Sequence, residues 1–303
     1  MLNSDTFLKI GDQHKICEDY VIAGTTKQGN PPLQYVILSD GCSKSDRTEM
    51  GARILCYMAQ QYLRFNFYQY PFKPDYKMMG LWIIHNAEMM ARNLGLNRDS
   101  LDATLIVSWI DWINEEGLIT PFSNIYMYGD GVVGHKREDG FQTIEIDYPP
   151  ANAPYYLSYE LDPARKKAYH ELKVSKVLKV TRPNGEVSNE QWAYHSPTTL
   201  MANMRFDNPI MIASDGLSSF YAQAGHAPPI VISTSSMIPE FLSFKGVKGS
   251  FLQRRAAKAI QTAKRERDIY HFDDVSIGAY IYEESEDGNV STNDPCGCPE
   301  IPT

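Results

Sequence analysis

Short apolar runs alternate with acidic, glycine-containing turns along most of the chain, and three stretches replace that rhythm with a helical period. "YVIAG" (20–24) and "QYVILSD" (34–40) read as strands joined by the turn-rich "TTKQGNPP", a hairpin. Beyond "SDGCSKSD", the spacing of Ile54, Leu55, Met58 and Leu63 predicts a helix opened by a capping box, Asp46 at the cap and Glu49 three residues on. Ile83, Ala87, Met90, Ala91 and Leu94 form the stripe of a second helix, with His85 and Glu88 off it. Strand patterns return in "ATLIVSWI" (103–110) and "NIYMYGD" (124–130), then in "VVGHK" and "FQTIEI" around the turn "REDG", a meander.

From Pro149 to Met204 the pattern dissolves into tyrosine, proline and charge. Residues 149–204 are therefore expected to be an irregular insertion with a short hairpin around "RPNGE", and a candidate flap over a site. Order resumes with a strand at "PIMIASDG" (209–216), a helix over Leu252–Ala263 with Leu252, Ala256, Ile260 and Ala263 on one side, and a last strand "DVSIGAYIY" (274–282). One domain is expected over residues 1–284. The acidic, polar end, 285–303, with its Cys-Gly-Cys at 296–298, is expected to be a flexible tail.

Composition narrows the function. With 303 residues, 43% of them hydrophobic, the chain can bury a large core. A formal net charge of -8 argues against nucleic acid or an anionic membrane surface as partner. No apolar run is long enough to span a bilayer and no secretory signal pattern opens the chain, so a cytoplasmic location is expected. The 5 cysteines, odd in number and unevenly spread, read as reduced thiols rather than a disulfide framework. Cys296 and Cys298 alone cannot close a zinc site, and the histidines show no H-E-x-x-H pairing.

Within "IYMYGDGVVG", Gly129, Gly131 and Gly134 have the spacing of a dinucleotide loop. Such a loop must lead into a helix whose amides meet the pyrophosphate, and here a hairpin pattern follows instead. Attention passes to Asp130. The same grammar ends "YVILSDG" at Asp40 and Gly41, and "IMIASDG" at Asp215 and Gly216; Glu18 and Asp19 precede one strand, Asp273 and Asp274 another. Any one of these could be an ordinary turn acid. Five acidic strand ends, if convergent, would repel one another unless a cation compensates. Oxygen ligands favour magnesium or manganese, and a pair of such ions suits phosphoester hydrolysis.

Taken in order, "CEDYVIAG", "VILSDG", "LDATLIVSW", "IYMYGDG", "IMIASDGL" and "FDDVSIGAYIY", over residues 14 to about 282, resemble the metal-dependent protein serine/threonine phosphatases of the protein phosphatase 2C (PP2C) family, bacterial type. The resemblance implies an α+β fold, a four-layer α-β-β-α sandwich of two antiparallel sheets flanked by helices. It implies hydrolysis of phosphoserine or phosphothreonine in a protein substrate with two, or in some members three, Mn2+ or Mg2+ ions. Asp40 would bridge two ions, the Gly41 carbonyl and Asp19 or Glu18 would complete one sphere, and Asp215 and Asp273 would serve the other. Asp273 is preferred to Asp274 as the first acid of its motif, Asp130 would join Asp215 at a third ion, and Thr104 would support the core.

Two positions depart from the pattern. His14, followed by Lys15, stands where the family has a phosphate-gripping arginine, and Cys42 stands where many eukaryotic members have a histidine. "CSKSDR" also falls one position short of the C-x5-R loop of a cysteine-dependent phosphatase, a reading that leaves the carboxylates unexplained. A small-molecule phosphoesterase, a silent phosphatase-like binding module and a two-metal nuclease are the rival readings; the acidic charge disfavours the last.

Overall fold

The computed structural model describes residues 2–26, 32–65, 75–115, 118–204, 208–223 and 228–283. The tail expected at 285–303 lies outside the described residues. The chain opens with β1 (Leu2–Lys9), β2 (Tyr20–Thr25) and β3 (Gln34–Gly41), followed by α1 (Thr48–Phe65) and α2 (Tyr76–Asn93). Four strands come next: β4 (Ala103–Glu115), β5 (Leu118–Tyr128), β6 (Gly131–Arg137) and β7 (Gly140–Asp147). The expected insertion holds α3 (Pro163–Glu171), β8 (Lys176–Thr181), β9 (Val187–Trp192) and β10 (Thr198–Asn203). Then follow β11 (Ile210–Ala213), β12 (Phe220–Ala222), β13 (Ile230–Val231), α4 (Thr234–Leu242), α5 (Phe251–Arg267), β14 (Ile269–His271) and β15 (Val275–Tyr282).

A five-stranded sheet runs β10-β5-β4-β3-β2, and a seven-stranded sheet runs β1-β15-β11-β6-β7-β8-β9. Every pairing in them is antiparallel. Helices α1 and α2 cover the outside of the first sheet, and α4 and α5 the outside of the second. The result is the expected α-β-β-α sandwich. Central strands read as unbroken apolar runs because both faces are covered, one by a helix and one by the opposite sheet: Val36, Ile37 and Leu38 of β3 are all fully buried. The two sheets touch closely. A Cβ added at Gly278 of β15 would stand 1.9 Å from Cγ1 of Val36 on the facing sheet, so only glycine fits there. Nearby, the Tyr280 hydroxyl donates across the layer to the Ser108 carbonyl at 2.8 Å.

Several local expectations change. Helix α1 has no Asp46 capping box: it begins at Thr48, and the Arg47 carbonyl accepts from the amides of Met50 and Gly51. Arg47 itself sits at φ 57°, and the Thr48 hydroxyl donates to the Cys42 carbonyl at 3.2 Å, which fixes the turn in place of a side-chain cap. Helix α2 starts at Tyr76, where Asp75 accepts from the amides of Lys77 and Met78. Leu94 falls just past its end and is exposed, because the chain leaves the helix there.

The insertion is ordered rather than irregular. The hairpin around "RPNGE" is β8–β9, which widens the seven-stranded sheet, while β10 pairs with β5 on the other sheet. Between them lies a tyrosine cluster. The Tyr155 ring centroid is 5.1 Å from Tyr169, 5.3 Å from Tyr159, 5.7 Å from Tyr194 and 6.4 Å from Tyr128 of β5. Those packed rings replace the aliphatic periodicity that sequence patterning looks for.

Candidate active site

Five acidic side chains arrive at one edge of the sandwich from separate strand ends. Asp19 directly precedes β2, Asp40 is the penultimate residue of β3, and Asp130 lies in the turn from β5 to β6, which crosses between sheets. Asp215 follows β11 and Asp273 precedes β15. The turn at Asp130 requires its glycines: Gly129 has φ 90°, and a Cβ there would stand 2.4 Å from the Thr104 hydroxyl. That hydroxyl donates to Oδ1 of Asp130 at 2.8 Å, so Thr104 fixes the acid's orientation. The glycine loop therefore runs into strand β6, as its hairpin pattern indicates.

Four of these acids share one cleft of about 410 Å³, whose lining includes His14, Glu18, Asp40, Gly41, Cys42, Asp130, Asp215 and Asp273, while Asp19 is buried and outside that lining. Burial raises the Asp40 carboxyl well above its ordinary range, and the charges of Asp19, Asp215 and Asp130 raise it further. Asp40 thus sits in the field of both Asp19 and Asp215. Asp19, buried, is pushed up to about 7, mainly by desolvation, while Ser276, Asp40 and Ser214 oppose the shift. Asp130 is raised well above the usual range by burial and by Asp215. Burial likewise raises Glu18, against the opposing pull of His14.

Asp273 and Asp274 differ sharply. Asp273 is 36% exposed at its side chain, lines the cleft, and is raised by burial and by Asp215. Asp274 is buried and accepts from the Gly11 amide at 2.8 Å and the Glu18 amide at 2.7 Å, so it ties the loop before β2 to the start of β15. His14 sits between them, Nε2 at 3.4 Å from Asp273 and Nδ1 at 3.2 Å from Asp274. Burial alone would lower its pKa, but Asp274, Asp273 and Glu18 outweigh that and hold the imidazole above its ordinary value. Lys15 does not join it: the side chain is exposed and outside the cleft lining. Cys42 lines the cleft as a free thiol.

The insertion supplies the opposite wall, with Asn152, Pro154, Tyr156, Tyr159 and Arg165. Arg165 of α3 pairs with both oxygens of Asp102, Nη2 to Oδ2 at 2.7 Å and Nη1 to Oδ1 at 3.1 Å, and lies 4.6 Å over the Tyr159 ring. Asp102, buried, also accepts from the hydroxyls of Ser45 at 2.9 Å and Ser158 at 2.6 Å, and its carbonyl accepts from the Cys42 amide at 2.9 Å. One carboxylate thus fastens the insertion to the loop that follows Asp40. Burial, then the charge of Asp130, raises the Tyr156 hydroxyl, so it stays a neutral hydrogen-bond donor. Sequence reading missed Asp102, Arg165 and Tyr156; the only signal was the density of tyrosine and charge in the insertion.

The chemistry of this donor set fits a hard divalent cation: all oxygen, several carboxylates in each other's field, and Oδ2 of Asp19 buried with no hydrogen-bond partner. Among the described residues, however, no three carboxylate, imidazole or thiol groups stand as a ready-made metal cage.

Two facing antiparallel sheets, helices outside them and an acidic cleft at one edge define a PP2C-like phosphatase fold. The likeness to solved structures is in shape more than in sequence. A bacterial serine phosphatase crystal structure superposes with a TM-score of 0.54 at 14% identity, covering 94% of this chain and 100% of that one. The photosystem II phosphatase PBCP gives 0.53 at 13%, covering 93% and 99%. For the PP2C phosphatase domain and regulatory-domain fragment of SpoIIE from Bacillus subtilis the values are 0.52 and 11%, and the match covers 93% of this chain but 63% of that one. The catalytic domain of the serine threonine protein phosphatase PstP, solved with 2 manganese ions, gives 0.50 at 14%, covering 93% and 99%. No protein-family model matches the sequence, and no curated protein matches it in sequence. No helix among the described residues is long and apolar enough to cross a membrane.

Proposed function

We propose that this protein hydrolyses phosphoserine and phosphothreonine in protein substrates, using Mn2+ or Mg2+. The observation that carries this reading is the meeting of Asp19, Asp40, Asp130, Asp215 and Asp273 in one cleft or against it, each from a different strand end. Asp40, Asp19 or Glu18, the Gly41 carbonyl, Asp215 and Asp273 would hold two ions, and Asp130 with Asp215 a third. Bound there, the ions would supply an acidified water and neutralise charge on the phosphoryl oxygens. The chain's own residues do the rest. His14, at the cleft mouth and held toward its protonated form, offers an N–H to a phosphate oxygen in place of an arginine. Tyr156 offers its hydroxyl as a neutral donor on the opposite wall. Arg165, clamped by Asp102, orders the wall that shields the cleft.

Purified protein is expected to release phosphate from a phosphothreonine peptide and from an aryl phosphate with manganese present. Asp40→Asn should reduce turnover to about a hundredth or less, while Cys42→Ser should retain most of it. The reverse ranking would indicate thiol chemistry. A silent binding module is favoured by one observation, that among the described residues no three ligand groups are prearranged for an ion. Calorimetric titration with manganese decides: binding absent in the wild type, with the fold intact, would favour the silent module.

A further inference from the structure

A partly exposed cluster of aromatic side chains lies near the cleft, with Lys264 Nζ 5.0 Å over the Tyr270 ring. Strands β12, β13 and β14 form a small sheet of order β13-β12-β14. Its inner face packs on the core, with the Phe220 ring 6.1 Å from Phe241. Val231, Tyr221 and Tyr270 stand opposite one another across its three strands. The rings of Tyr221 and Tyr270 stack at 6.0 Å, and Phe272 lies 6.3 Å from Tyr221. Val231 is 72% exposed and Phe272 41%. Beside Tyr270 a groove of about 270 Å³ opens between β14 and α5, with Phe7, Ile260 and Ile269 in its walls.

Exposed apolar clusters of this kind mark binding surfaces, and location indicates the partner. Phe272 directly precedes Asp273 of the cleft. Alongside it, the Gln13 amide donates to the Phe272 carbonyl at 3.3 Å, one residue before His14. The face therefore adjoins the cleft through the neighbouring, partly exposed Phe272 and Asp273. Asp273 and Tyr270 are three residues apart in the chain, a separation of at most roughly 10 Å, the reach of three or four residues of a bound extended peptide. A handful of side chains is too little area for a stable second copy, and an acidic chain is poorly suited to an anionic membrane.

We propose that this face binds an apolar side chain of the substrate polypeptide, three or four residues from the phosphorylated one. The protein then selects phosphopeptides carrying leucine, methionine or phenylalanine at that distance. This rests on the phosphatase reading above. The test compares an aryl phosphate with phosphothreonine peptides that carry leucine or alanine three or four residues to either side. Wild-type protein should prefer one leucine peptide by about tenfold or more in kcat/KM, the effect of burying one such side chain. Tyr221→Ser and the surface variant Val231→Ser should shrink that preference and leave aryl phosphate turnover unchanged. Equal kcat/KM for all peptides, with aryl phosphate still hydrolysed, would overturn the docking face and leave the phosphatase. If nothing is hydrolysed by folded protein, the proposed function fails, and NMR titration with the unphosphorylated leucine peptide judges the face alone: shifts at the Tyr221 and Tyr270 rings support it, and their absence overturns it.

Discussion

Asp273 and Asp274 are adjacent but differently surrounded, one partly exposed at the cleft and one buried on two amides, and their variants should separate. Asp274→Ala strips the Gly11 and Glu18 amides of their buried acceptor and should cost about 3 kcal/mol in denaturant unfolding. Asp273→Asn removes a charge that burial and Asp215 disfavour more than His14 favours it, so stability should hold or rise while activity falls. Asp102→Ala leaves Arg165 without its principal carboxylate and should cost about 3–5 kcal/mol. The strand-end acids were legible because each sits in a local string, an apolar run, an acid and a glycine, that carries its own structural meaning. The Arg165–Asp102 pair was not legible. The two residues are 63 positions apart, and no periodicity links a helix in an atypical insertion to the start of β4.

At the scale of elements, legibility followed burial on both faces. β3 and β15 were read easily because both carry an apolar run and are buried nearly throughout. β1 escaped because, at the sheet edge, it buries only Phe7. Helix α4 escaped because it opens on Thr234, Ser235 and Ser236 and carries Pro239. The first residue of β8 adds a pH-dependent term. Lys176 is buried, donates to the Ser196 carbonyl, and is lowered by desolvation from 10.5 to about 8. Between those two values the unfolded chain binds the extra proton and the folded chain does not, so folding stability should climb as pH rises through the window. Below it, charging the buried amine keeps stability low. Urea midpoints taken at either end of the window should show the rise in wild type and not in Lys176→Met. Gly129→Ala, which needs a positive φ and strikes Thr104, should destabilise by about 1–3 kcal/mol and weaken manganese binding together.

On the scale of the molecule, the insertion is a fixed wall. Its tyrosines pack against β5, and Asp102 fastens it to the loop after Asp40, so amide hydrogen exchange across α3 should be slow, comparable to β5 rather than to a swinging lid. Exchange complete within seconds there would contradict this. The cleft also straddles the sandwich: Asp40 belongs to the five-stranded sheet, Asp215 and Asp273 border strands of the seven-stranded one, and Asp130 lies on the crossing turn. Under the proposed two-ion reading, the thickness of the inner layer would therefore tune ion affinity. Gly278 is where that thickness is set, by the contact its missing Cβ permits with Val36. Prising the layers apart with Gly278→Ala should weaken manganese affinity about tenfold in a calorimetric titration, although no side chain in the cleft has changed.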